Sequence, residues 1–196
     1  MQAARGASLD DADPQPSLSS GPDPSPDGRD SSAGPARRRL RLLLAVAAVV
    51  LVLDQLSKLL VVRLLDPADP VSLLDGLLTL RLVRNPGAAF GLAAGATVVF
   101  TAVAAVVVVV ILRIARRLMS LPWAISLGLL LGGAVGNLGD RVFRGPAPLR
   151  GHVVDFIELP HYPVFNVADS AIVLAGVSMV IYTLRGMQVD GTVHRG

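Results

Sequence analysis

Four stretches of roughly 20 residues with hardly a charge among them constrain this chain more than any other feature, because a helix of about that length spans the hydrocarbon of a bilayer. They cover residues 42–62, 92–112, 121–138 and 164–184. The second and third hold no charge, the first holds Asp54 and Lys58, and the fourth holds Asp169 alone. Val106 to Val110 would favour a strand in water, but in lipid an unpaired strand leaves its backbone unsatisfied, so helix is expected. Composition agrees: 52% of the 196 residues are hydrophobic and the mean hydropathy is +0.58, too apolar for an ordinary soluble domain.

The expected architecture is an all-α membrane protein of four transmembrane helices, with a small extracytoplasmic β-sheet between helices 1 and 2. The sheet is expected because Leu78, Leu80 and Leu82 alternate with Thr79 and Arg81, the period of a half-buried strand. Pro86 and Gly87 then suit the central positions of a type II turn. Residues 1–36 carry six prolines, and six aspartates against two arginines, with no apolar run; they are expected to form a disordered acidic tail. They do not resemble a secretory signal, since the first apolar run begins only at Leu42. The membrane domain is expected over residues 37–186, with 187–196 a short C-terminal tail.

The tail's net charge of −4 within a total of +3 leaves +7 on the other 160 residues. In a membrane protein that balance points to topology and anionic headgroups rather than nucleic acid. Arg37, Arg38, Arg39, Arg41, Arg113, Arg116, Arg117, Arg185 and Arg195 fall on one side of the four spans, against Arg63, Arg81, Arg84, Arg141, Arg144 and Arg150 on the other. The basic cluster before the first span sets both termini in the cytoplasm and the longer loops outside. Trp123, next to Pro122, suits an anchor at the inner interface.

Ionisable groups inside spans are costly and are usually functional or paired. Asp54 and Lys58 are one helical turn apart and read first as a structural pair. Gly128, Gly132, Gly136 and Asp140 recur every four residues, a spacing that lets another helix approach closely. Asp140 then ends a packed seam, with Arg141 beside it to neutralise it. Residues 137–140 read Asn-Leu-Gly-Asp, which departs from the GxGD of presenilin-type proteases.

Asp155 and Asp169 are left without a basic neighbour; His152 and His161, the nearest candidates, are ordinarily neutral at pH 7. The topology carries both acids to one membrane depth, where burial and mutual repulsion would leave a pair sharing one proton. Such a pair hydrolyses peptide bonds, one member taking a proton from water and the other polarising the carbonyl. The plain alternative is that Asp169 caps the fourth span and Asp155 is an ordinary loop acid. Asn85, Asn137 and Asn166, all at the outer ends of spans or in the outer loop, favour the dyad because amide donors orient carboxylates and substrate backbone. With no cysteine, and three histidines outside any HExxH, thiol and zinc hydrolases are excluded or disfavoured, and no metal or cofactor is expected. A proton-coupled carrier using Asp54, Asp140 and Asp169 is the rival of a different class; it would normally show internal repeats, and none is found.

"DQLSK" (54–58), "NPGAAFG" (85–91), "GNLGDR" (136–141), "VVDF" (153–156) and "FNVADS" (165–170) together resemble the lipoprotein signal peptidase family, also called signal peptidase II. The motifs fall in the family's order over residues 40–185. The resemblance implies a four-helix aspartyl endopeptidase of the bacterial cytoplasmic membrane, working near its outer face. Such an enzyme removes the signal peptide of diacylglyceryl-modified prolipoproteins, cutting on the N-terminal side of the lipidated cysteine. It implies Asp155 and Asp169 as the catalytic pair, with Asn137, Asp140, Arg141 and Asn166 as polar support. Asn85 and Gly87 would belong to a loop over the substrate, and Asp54 and Lys58 would lie near the site. The implied partners are the lipidated precursor and membrane lipids, with no nucleic acid, and the protein is expected to be a monomer. The segment between "GDR" and "VVDF" looks longer than the family's pattern.

Overall fold

A computed structural model describes residues 34–86, 96–145 and 149–194. Residues 1–33 of the acidic tail, Gly87 with the turn it was expected to form, and part of the long segment before "VVDF" lie outside the described residues, whereas Pro35 and Ala36, expected in that tail, are the first residues of a helix.

Among the described residues, four helices are long and apolar enough to cross a membrane: α1 (Pro35–Leu64), α2 (Ala96–Ile114), α3 (Leu121–Phe143) and α4 (Val167–Leu184). Each matches an expected span, with ends moved by local chemistry. Pro35 opens α1 at a position where its missing N–H costs nothing, so the helix begins ahead of the apolar run and includes the arginines. Helix α3 continues past residue 138, keeping Asn137, Asp140 and Arg141 on helical backbone. Helix α4 starts at Val167 because Asn166 caps it. Asp169 therefore sits in its first turn, not deeper within the span as the apolar run suggests.

Helix α3 is central and packs against α1, α2 and α4. In α1 the buried positions are Leu43, Ala47, Val50, Asp54, Lys58 and Val61, steps of three and four that form one narrow stripe. Leu44, Val49, Val52, Leu53, Leu56 and Leu60 are exposed around it, as befits a helix whose other face meets lipid. The glycine seam is the contact with α3. A Cβ on Gly128 would stand 2.8 Å from the Leu43 carbonyl oxygen, and one on Gly132 would stand 2.7 Å from that of Ala47. Glycine lets the two backbones meet there.

The sheet is antiparallel, in the order β1 (Val71–Leu73), β2 (Leu78–Asn85), β3 (Val153–Glu158). Two strands lie between α1 and α2 as expected. The third comes from between α3 and α4, so Asp155, expected in a loop, is on a strand opposite Val83. The register slips by one residue between Leu80 and Val83, a bulge that re-aims the side chains beyond it. Val61, Leu82, Val154 and Phe156 form a small apolar core under the sheet. Beyond β3 the chain doubles back, Phe165 exchanging backbone hydrogen bonds with Ile157, and enters α4.

At the opposite end of the bundle, residues 187–194 are tied to their neighbours. Met187 and Val193 form a bridge, Met119 and Ser120 donate to the Val189 carbonyl, and Trp123 Nε1 donates to that of Met187. Arg39 of α1 donates to the Met119 carbonyl, so the start of α1, the α2–α3 turn and the C terminus meet at one end.

Candidate active site

Asp155 and Asp169 reach one polar cluster from β3 and α4. The Asp155 side chain is 2% exposed. Its Oδ1 accepts from Asn166 Nδ2 at 2.7 Å and its Oδ2 from Asn85 Nδ2 at 2.9 Å. Asn85 pairs with Val153 in the ladder, which makes it the diagonal neighbour of Asp155 on the same face. Burial pushes the Asp155 carboxyl up to about 6, with the charge of Asp169 adding to the rise and the Asn85 and Asn166 amides opposing it.

Asp169 and Asn166 form a reciprocal capping box. Asn166 Oδ1 accepts from the Asp169 N–H at 2.9 Å, and Asp169 Oδ2 from the Asn166 N–H at 3.2 Å. Asp169 thus does cap α4, as the plain reading held, and its Oδ1 is additionally turned to Asn137 Nδ2 at 2.8 Å. Asn166 serves both acids, through its side-chain amide to Asp155 and its backbone N–H to Asp169.

Behind this layer lies a buried charge cluster. Lys58 Nζ is 2.8 Å from Asp54 Oδ2 and 2.8 Å from Asp140 Oδ2, and all three side chains are fully buried. The expected Asp54–Lys58 pair is therefore present but shared with a third residue. Asp140 makes its ion pairs with Lys58 and with Arg144 Nε at 2.5 Å; Arg141, expected as its partner, acts on it by charge without an ion pair at contact distance. The reason is helical geometry: residue i+4 shares a face with residue i, whereas i+1 points about 100° away. Arg141 instead stacks over the Phe100 ring, 5.9 Å from its centre. Its Nε is buried with no hydrogen-bond partner among the described residues, while Asp169, Asp155 and Asp140 all act on its charge.

The structure thus gathers Asp54, Lys58, Asn85, Asn137, Asp140, Asp155, Asn166 and Asp169 into one region. Gly87 lies outside the described residues, and His152 and His161 do not pair with either aspartate. Sequence reasoning missed Arg144 as a partner of Asp140, although its i+4 spacing signalled it. It also missed Gln55, which donates to Asp54 Oδ2 at 3.1 Å and to the Gly136 carbonyl at 3.2 Å; its place within "DQLSK" was the signal available.

Two clefts reach the acids from either side of the β3–α4 connection. One, of about 370 Å³, is mostly apolar, lined by Leu159, Tyr162, Phe165, Val173 and Leu174 with Asp169 among them. The other, of about 240 Å³, is lined by Val83, Arg84, Asn85, Pro86, Pro163 and Val164 with Asp155 among them.

Comparison with known proteins points one way. The family model for Signal peptidase (SPase) II matches residues 46–185. The lipoprotein signal peptidase of Streptomyces griseus is 52% identical over 84% of this chain and 84% of its own length. That of Mycolicibacterium smegmatis is 53% identical over 87% of this chain and 72% of its own. A bacterial membrane enzyme solved by the in meso method at 1.9 Å resolution has a TM-score of 0.65 and 27% identity, covering 73% of this chain and 92% of that one. A second such enzyme, at 2.3 Å resolution and 24% identical, shares the fold with a TM-score of 0.66 over 79% of this chain and 93% of that one. This chain is a multi-pass bacterial membrane protein and belongs to the signal peptidase II family, a family of aspartic peptidases.

Proposed function

We propose that this protein removes the signal peptide from diacylglyceryl-modified prolipoproteins, cutting on the N-terminal side of the lipidated cysteine, with Asp155 and Asp169 as its catalytic pair. The observation that carries the reading is the shared amide network: two acids from separate elements, bridged by Asn166, each with a cleft opening on it.

In this mechanism the pair holds one proton. Asp155 carries it, consistent with its raised pKa, and Asp169, in the first turn of α4, is the base. Water attacks the scissile carbonyl carbon, giving its proton to Asp169 as Asp155 donates to the carbonyl oxygen. The tetrahedral intermediate collapses, the C–N bond breaks, and Asp169 passes its proton to the leaving amine. Asp155 recovers its proton from the re-forming carboxyl group, closing the cycle. Asn85, Asn137 and Asn166 hold the carboxylates in place, and Asp140 and Arg141 support the cluster from α3.

A lipidated cysteine presents its peptide bond at the membrane face. The apolar cleft beside Asp169 has the chemistry to take acyl chains sideways, since exposed Val173 and Leu174 continue it along α4. The carrier reading loses support from the continuous helices, because transport sites of that kind are built from broken ones.

The test is cleavage of a diacylglyceryl-modified precursor peptide by purified protein in detergent. Asp155→Asn and Asp169→Asn should each lower kcat by about 10²–10⁴-fold, the usual weight of a general acid or base, with the helical circular dichroism kept. Normal turnover by either variant removes that residue from the pair.

A further inference from the structure

Lys58 has no part in the bond-breaking steps above, yet it is fully buried and all three of its N–H donors are committed. They go to Asp54 Oδ2 at 2.8 Å, Asp140 Oδ2 at 2.8 Å and Asn137 Oδ1 at 3.1 Å. What those three acceptors do next is informative. Asp54 Oδ1 accepts the backbone N–H of Ala168 at 3.0 Å, the residue before Asp169. Asp140 Oδ2 accepts the backbone N–H of Val154 at 3.3 Å, the residue before Asp155. Asn137 Nδ2 donates directly to Asp169 Oδ1 at 2.8 Å.

We propose that Lys58 is a positioning residue that fixes Asp155 and Asp169 relative to each other, through Asp140 on one side and through Asp54 and Asn137 on the other. The proposal rests on the reading of the two aspartates as the catalytic pair.

The Asn137 amide shows why a cation is needed. An ammonium group only donates, so Lys58 requires the Asn137 oxygen to face it, as does Asn166 Nδ2 at 3.2 Å. Turning the amide over would set two donors against its NH₂ and a carboxylate against its oxygen. Lys58 therefore decides that Asn137 presents an N–H to Asp169. Stability alone does not demand this arrangement, because buried ion pairs can often be replaced by apolar side chains without loss. The charged groups around the hub are Asp54 on α1, Asp140, Arg141 and Arg144 on α3, Asp155 on β3 and Asp169 on α4. Of these, Arg144 remains beside Asp140 when Lys58 is removed.

The test uses full-length protein in detergent and the same lipopeptide. Lys58→Met leaves Asp54 unpaired and is expected to lower the melting temperature. The double variant Asp54→Asn, Lys58→Met removes that charge, keeps an acceptor for the Ala168 N–H, and leaves Asp140 with Arg144. It should regain the stability lost by the single variant. If Lys58 positions the dyad, kcat in the folded double variant stays about 10–100-fold down with KM kept, since misplacement of about 1 Å has that cost. If Lys58 only neutralises buried charge, the double variant regains wild-type kcat along with stability, and the proposal is overturned. Asp155→Asn, run alongside, separates the two failures. If it is inactive while the double variant turns over normally, only the role of Lys58 is wrong; if it turns over normally, the dyad assignment itself is wrong.

Discussion

Asp155 shows what one buried carboxyl does to the whole chain's response to pH. Its pKa is about 6 when folded against an ordinary value of 3.8, so between those values the folded protein holds a proton that the unfolded chain has released. The sign follows: the contribution is fully present below about pH 4 and is lost as pH rises through about 6. Across that window the wild type should lose on the order of 3 kcal/mol relative to Asp155→Asn, which does not titrate. Thermal unfolding in detergent from pH 4 to 7 measures it, and parallel curves for the two proteins would mean that Asp155 titrates normally. At this scale the sequence revealed which acids lacked a basic neighbour, but not what replaced one. The partners are amides, Asn85 and Asn166, the first of them 70 positions from Asp155, and only the sheet register brings it alongside.

The α1–α3 contact illustrates what spacing does and does not reveal about an element. Gly128 and Gly132 could be read from sequence as a face, because a four-residue period on a helix is a geometric fact independent of context. The partner helix could not be read, since it is chosen by tertiary packing. Strand β3 was hidden for a related reason: Val153 to Glu158 is short and lacks the apolar alternation of β2, and its pairing partner lies far back in the chain. Substitution on α3 should respect the difference between faces. A Cβ at Gly132 would press on the Ala47 carbonyl oxygen and Val50, whereas one at Gly139 would meet nothing within 4 Å. Gly132→Ala should therefore destabilise the protein by roughly 1–3 kcal/mol through overpacking. Gly139→Ala should be neutral, or stabilising by up to about 1 kcal/mol from helix propensity. Equal melting temperatures for the two variants would mean that α1 does not approach α3 as closely as described.

Across the whole molecule, the buried polar cluster and the sheet occupy one end of the bundle, while the start of α1, the α2–α3 turn and the C terminus share the other. Four crossings require that arrangement, but they leave open which end faces the cytoplasm. We propose the orientation that charge favours: Arg37, Arg38, Arg39 and Arg41 crowd the start of α1, and Arg113, Arg116 and Arg117 end α2 and the turn after it. With those guanidinium groups on the cytoplasmic side, the proposed orientation would put Asp155 and Asp169 toward the outer face. The chain contains no cysteine, so a single introduced thiol reports position without background. Ser72→Cys, in β1, should react with a membrane-impermeant maleimide in intact cells. Thr192→Cys, in the C-terminal turn, should react only after the cells are opened. The reverse pattern would invert the protein and leave the polar cluster on the side where no translocated precursor could reach it.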